Sequence, residues 1–312
     1  MLISTEYRTL KVGQFSIAAN IRTKEEIGIM DNTALARFIT SLGSLNGYGS
    51  TLAQTKKALD LRSSQPLNQH GEDVAIFEDT LKGIAAVKEK GFSVDGIIAI
   101  NSAFDSPSDE QPNWPGHLRN AYYNEDDRIG ITIDQSAKET YFPPEIVRRD
   151  DLQKIVDNYK ESPKKEKDAW KVFADLSKLQ PFQDGNKRTA LIAANAAYGT
   201  FERENYLVLP FNDLDRGEFT ISLIRYYDAK NPTDEAKYLD KMVDLLPSDR
   251  ERELHRPIIS DGSQGKTRVA RVKPQFRNVE NKESKESTNP KIESRQVKPP
   301  FSPLRHDRGP KR

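Results

Sequence analysis

A mainly α-helical fold is predicted for this 312-residue chain: a helical bundle with a small β-hairpin flap, followed by a disordered basic C-terminal tail. Three observations carry that expectation. Apolar residues recur at helical spacing through most of residues 32–246. Two short runs rich in β-branched and aromatic residues flank one polar turn. Beyond Pro247 the apolar residues become isolated among Lys, Arg, Glu, Ser, Asn and Pro, a composition that cannot offset chain entropy by burial.

In chain order, helices are expected at 32–42 and 52–61. Residues 71–91 place Val74, Phe77, Leu81, Ile84 and Val87 on one face, and Gly91 is a natural stop. Residues 94–102 repeat the pattern briefly. The stretch Trp114-Pro115-Gly116-His117-Leu118-Arg119 reads as a loop from its Pro-Gly pair. Residues 129–133 and 139–142 then flank the polar turn 134–138 and predict a hairpin. Pro143-Pro144-Glu145 opens a helix with Val147, Leu152, Ile155, Val156 and Tyr159 on its apolar side. Another follows over 165–179, with Trp170, Val172, Phe173, Leu176 and Leu179 inward. The helix from Asn186 carries Ala190, Ala193, Ala194, Ala196 and Ala197, small enough to pack on several sides, so it is expected at the centre. Residues 218–230 and 233–246 supply two more.

Charge and composition narrow the function. The chain has no cysteine, which excludes disulfides and cysteine-ligated zinc, and its four histidines lack metal-ligand spacing. There is no apolar run of about 18 residues to span a membrane, and residues 1–20 lack the layout of a secretory signal, so a cytoplasmic protein is expected. A net charge of +1 hides an asymmetry: residues 250–312 hold 17 Lys/Arg against 8 Asp/Glu, and the remainder is acidic. Nucleic-acid binding by this basic tail rests on charge alone, without an aromatic stacking array, and is not expected.

The chemistry concentrates in Gln180-Pro181-Phe182-Gln183-Asp184-Gly185-Asn186-Lys187-Arg188. Gly185 permits a tight turn and close backbone approach to a ligand. Asn186, Lys187 and Arg188 then open a helix whose first amides lack intrahelical partners, an anion site. Lys187 and Arg188 add cationic charge, and Arg188 can fork onto phosphate oxygens. Asp184 is suited to a magnesium ion bridging phosphates. Together these residues indicate a nucleotide phosphate site.

The segment resembles the signature of the Fic/Doc (Fido) family, a histidine followed by Pro-Phe-x-Asp/Glu-Gly-Asn-Gly/Lys-Arg. Pro181 to Arg188 match it throughout; Gln180 stands where the family has its catalytic histidine. The resemblance implies a Fido domain over 75–246, a helical extension over 1–74 and the tail over 247–312. It implies AMP transfer from ATP, with Mg2+, to a protein Ser, Thr or Tyr hydroxyl. It further implies that the 129–142 hairpin is the flap on which the target docks as an added strand. Glutamine has no titratable nitrogen, so it cannot replace the base, and turnover is expected to be lost or strongly impaired. Two alternatives stay open: a non-catalytic nucleotide- or protein-binding pseudoenzyme, and, because Lys187 is shared with the Doc kinases, a Doc-like kinase toxin.

Many members of the family silence themselves with Ser/Thr-x-x-x-Glu-Gly/Asn. Thr200-Phe201-Glu202-Arg203-Glu204-Asn205 fits that pattern, yet its place directly after the motif helix argues against such use. A separate antitoxin, or no inhibition once the base is gone, fits better. Some translocated members also carry basic C-terminal tails, a looser likeness.

Overall fold

A computed structural model describes residues 31–108, 112–133 and 139–254. The expected hairpin tip, 134–138, and the tail from 255 onward lie outside the described residues. Helices α1 (Thr33–Gly43), α2 (Leu52–Leu61), α3 (Asp73–Lys90) and α4 (Val94–Ser102) come first. A long loop then leads to strands β1 (Ile131–Thr132) and β2 (Thr140–Tyr141). Helices α5 (Arg149–Glu161), α6 (Glu166–Leu179), α7 (Asn186–Tyr198), α8 (Thr200–Arg203), α9 (Asp213–Asp228), α10 (Pro232–Asp244) and α11 (Asp249–Leu254) complete the fold.

Helix α7 is the axis. Ala190, Leu191, Ile192, Ala193 and Ala194 are fully buried on successive positions, so every side of the helix faces protein. Its neighbours are α1, α3, α4, α6 and α8. The alanines let these helices approach closely, as their size predicts. Aromatic residues fill the space between α6 and α9, where Trp170, Phe173 and Phe219 meet largely edge to face.

Helix α1 buries Phe38, Ile39 and Leu42 in the same core. The expected division at residue 74 is therefore not a division of the core, because α1 packs on α3 and α7.

Three boundaries differ from expectation for local reasons. Helix α5 begins at Arg149, not at Pro143. The intervening residues pair instead with the 119–121 segment: Ala121 N–H donates to Glu145 O (2.8 Å) and Val147 N–H to Arg119 O (2.9 Å), around an Asn120–Ile146 bridge. Helix α9 begins five residues early because Asn212 caps it, its side chain accepting from Asp215 N–H at 2.8 Å. The tail does not begin at Pro247. Helix α11 follows, and its Arg252, 5% exposed, forks onto Glu166 at the start of α6 (2.8 and 2.7 Å).

The hairpin is present and small. Ile131 pairs with Tyr141 and Thr132 with Thr140 in antiparallel register. Tyr141 turns inward, donating its hydroxyl to Lys178 O at 3.1 Å and lying 5.6 Å from the Tyr227 ring. Burial pushes the Tyr141 phenol up to about 12, so it stays protonated and remains a donor. Phe142 turns outward, 67% exposed, with its ring across Gly130. A Cβ at Gly130 would meet Thr140 at 3.0 Å and that ring at 3.1 Å, so a side chain there would push the exposed ring aside by a few tenths of an ångström.

Candidate active site

The C-terminus of α6 and the N-terminus of α7 are joined by six residues that fold back on themselves. Gln180 ends α6 in the left-handed region (φ 49°) and Gly185 precedes α7 in the same region (φ 72°). Side chains from three segments hold this loop. Asn186 braces it from inside, its Oδ1 accepting from Phe182 N–H and its Nδ2 donating to Phe182 O, both at 2.8 Å. Asn101, fully buried on α4, donates to Asp184 O (2.9 Å) and accepts from Gly116 N–H (2.8 Å). Phe182 is fully buried and anchors the turn in the core.

Arg119 supplies the third support. Only 1% exposed, it donates through Nε to Gln180 O, through Nη1 to Asp127 O (2.8 Å), and through Nη2 to Pro144 O (2.9 Å) and Leu179 O (3.4 Å). Its backbone N–H donates to Pro181 O at 3.0 Å. One guanidinium thus ties the end of α6, the flap root and the segment leading to α5. In sequence Arg119 ends a Pro-Gly-x-x-Arg loop ahead of the hairpin, as in the family it resembles; its carbonyl partners, from Asp127 to Gln180, are too far apart for that loop alone to reveal them.

Gly185 is required twice over. Its positive φ disfavours any side chain, and a Cβ would sit 2.7 Å from the Phe104 ring. Gly185, the N-cap of α7, has no side chain to cap the helix.

A cleft of about 130 Å³ opens at this point, lined by Gln180, Gln183, Asp184, Gly185, Asn186 and Lys187, with Ile129 from the flap root and Asn46 from the turn after α1. That volume suits a phosphate group rather than a whole nucleotide, since small-molecule sites run to about 300–1,000 Å³. Asp184 is half-buried, one carboxylate oxygen accepting the Gly185 N–H. Lys187 is half-buried beside it. The Asn186 side chain is committed to Phe182, so its backbone is what it offers a ligand.

Arg188 lies elsewhere. It is 1% exposed, with its guanidinium 4.9 Å from the centre of the Phe104 ring. The structure thus brings together Gln180, Asp184, Gly185, Asn186 and Lys187 around one cleft, and directs Arg188 into the wall behind it.

The Gln180 side chain, 7% exposed, folds onto its own helix, where Nε2 donates to Ser177 O at 2.6 Å. Asn46 is a cleft residue that sequence reasoning missed, because Asn46-Gly47 reads only as a polar turn. The Thr200–Glu204 pattern is remote: α8 begins at the far end of the 13-residue α7, about 20 Å from Gly185 at 1.5 Å per residue. Thr200 there is buried, bonding to Asn195 Oδ1 at 2.6 Å, and Glu202 is exposed.

Behind the loop sits a buried carboxylate. Asp127 accepts from Asn120 N–H (2.6 Å), Gln183 Nε2 (2.8 Å), His117 Nε2 (2.9 Å) and Asn124 Nδ2 (3.1 Å). Burial works to raise its pKa, but these donors and the His117 charge outweigh it and hold the carboxyl below the usual range.

Residues 92–198 match the Fic/DOC family. No curated protein matches the chain. Among solved structures, a Fic domain containing signaling protein from Bacteroides thetaiotaomicron VPI-5482 is 16% identical, with a TM-score of 0.49 over 69% of this chain and 81% of that one. A fragment of Fic-1 from C. elegans is also 16% identical, with a TM-score of 0.46 over 72% of this chain and 62% of the fragment. Among the described residues no helix is long and apolar enough to cross a membrane.

Proposed function

We propose that this chain, a Fic/DOC family protein by its residues 92–198, is built to transfer AMP from ATP to a protein hydroxyl and is strongly impaired because Gln180 replaces the base. The carrying observation is the meeting of Gln180, Asp184, Lys187 and the uncapped start of α7 at one cleft. In this reading the α7 amides and Lys187 hold the phosphates, and electrostatic stabilisation of the transferring group is the main contribution. The donor set suits magnesium: Asp184 is the one acid among the cleft-lining residues, and such ions bind through one or two carboxylates plus phosphate oxygens. Magnesium would neutralise charge on the phosphates. In the transfer itself, the hydroxyl oxygen bonds to the α-phosphorus as the bond to pyrophosphate breaks, and the hydroxyl proton must pass to a base. Gln180 has no lone pair basic enough to take it.

The backbone at position 180 suits the missing residue. Histidine is enriched among side chains that tolerate the left-handed region. A histidine there can place one ring nitrogen where the Gln180 amide now donates to Ser177 O. That bond would leave its other nitrogen unprotonated, ready to accept.

The test is transfer from ATP labelled at the α- or γ-phosphate to lysate proteins, by the parent and by Gln180→His. The histidine form should gain about 10²–10⁴-fold in α-label transfer, the usual worth of a general base. Transfer of γ-label instead would favour the Doc-like kinase, the reading Lys187 supports. ATP binding without transfer by either form would favour a pseudoenzyme, and loss of all binding would refute the phosphate site. The target presented on the flap, and an antitoxin as separate partner, belong to the same proposal.

A further inference from the structure

Gln183 occupies the position that the Pro-Phe-x-Asp signature leaves open, and its side chain has two partners away from the motif. Nε2 donates to Asp127 at 2.8 Å, and Oε1 accepts from Trp114 N–H at 3.1 Å. Asp127 is fully buried, and its two oxygens already serve His117, Asn120 and Asn124. A carboxylate offers about four lone-pair sites, so these four donors fill it. Two residues after Asp127 the chain reaches Ile129, which lines the same cleft as Gln183. His117, for its part, lies stacked under Trp114 with ring centres 4.2 Å apart.

The loop's own closure does not depend on Gln183. Asn186 closes the turn, Asn101 holds Asp184 O, and Arg119 holds Gln180 O. What Gln183 adds is a connection outward. We propose that Gln183 is a positioning residue that couples the flap root to the phosphate loop through Asp127. The flap strand and the cleft then keep one register, and a nucleotide seated in the cleft is felt at the flap. What the flap presents rests on the transferase reading above; the linkage is read from the contacts alone.

The test is amide hydrogen exchange on the full chain, read over 124–133 and 139–142, with and without ATP and magnesium. Gln183→Ala removes one hydrogen bond to a charged acceptor. Exchange at the flap root should then quicken about tenfold without any ligand, the scale of such a bond. Exchange within α7 should stay as in the parent, and the melting temperature should fall by no more than about 3–6 °C. With ATP and magnesium, the parent should gain flap protection and Gln183→Ala should not, while still protecting the start of α7. Asp127→Asn, which places an amide against four donors, should loosen the flap root further, but the Gln183 variant decides the matter even if Asp127→Asn does not fold. Unchanged exchange over 124–133 in Gln183→Ala overturns the coupling. ATP failing to protect α7 in the parent overturns the nucleotide reading instead, while the ligand-free comparison still decides the linkage.

Discussion

The 180–186 loop and the 129–142 hairpin both reach one cleft, the hairpin through Ile129, but are held in opposite ways. Residues 180–186 are fixed by Asn101, Arg119 and Asn186, each bonding backbone groups of the loop, with Phe182 sunk in the core. The flap has two-residue strands, one hydroxyl tether from Tyr141 to Lys178 O, and an exposed Phe142. Backbone bonded by buried side chains opens only with the fold, whereas a short exposed ladder opens locally at little cost. The loop is thus held as a fixed element of the fold, and the described part of the hairpin is held only lightly; in the transferase proposal the first would serve the phosphates and the second the target strand.

The sharpest way to break this contrast is Arg119→Ala. It strands the carbonyls of Gln180, Leu179, Pro144 and Asp127. At about 1–3 kcal/mol for each buried group left unsatisfied, a loss of about 4 kcal/mol or more is expected. Calorimetry should show melting lowered by about 10 °C, on a scale of about 2–4 °C per kcal/mol for a domain of this size. Gly185→Ala should cost about 2–4 kcal/mol, from its positive φ and from the 2.7 Å approach to Phe104. Denaturant titration checks it, and ATP affinity should fall with it because α7 begins there.

Acid tests the support between the two regions. Asp127 has a folded pKa below its unfolded value of about 3.9, so its contribution is complete above that value and is lost as pH falls through the lower folded one. Melting followed from pH 7 downward should therefore show no loss from this group until below about pH 4, and Asp127→Asn should lack that acid-dependent part. The smallest effect belongs to the flap. Tyr141→Phe removes one hydrogen bond, about 0.5–1.5 kcal/mol. It should raise hydrogen exchange over 139–142 while leaving the global denaturation midpoint nearly unchanged.

The helices were legible because their signals are local. The alanine run of α7 announced a central helix, and Gly185 announced the turn before it. The α9 start at Asp213, five residues before the expected one, was also within reach, since Asn212 with Asp215 is a capping signal. The α5 start was not, because what keeps residues 144–147 extended is their pairing with 119–121, a contact invisible in either segment alone. The cleft divides the same way. Gln180, Asp184, Gly185 and Lys187 fall within eight consecutive residues and could be read directly. Asn101, Arg119 and Asp127 hold them from distant positions and resemble ordinary polar residues of helix and loop. Arg188, read from its type as a phosphate ligand, lies 1% exposed with its guanidinium over Phe104, a burial that no run of neighbouring residues announces.

Helix α6 runs from Glu166 to Leu179, about 21 Å at 1.5 Å per residue. Its first residue is gripped by Arg252 with both guanidinium prongs, and its last delivers position 180 to the cleft. Mechanically it is a strut, with its foot in the Arg252–Glu166 clasp and its head at the cleft lined by Gln180. The clasp therefore fixes where the helix starts, so that α11, which ends at the last described residue, and position 180 are linked through one rigid element.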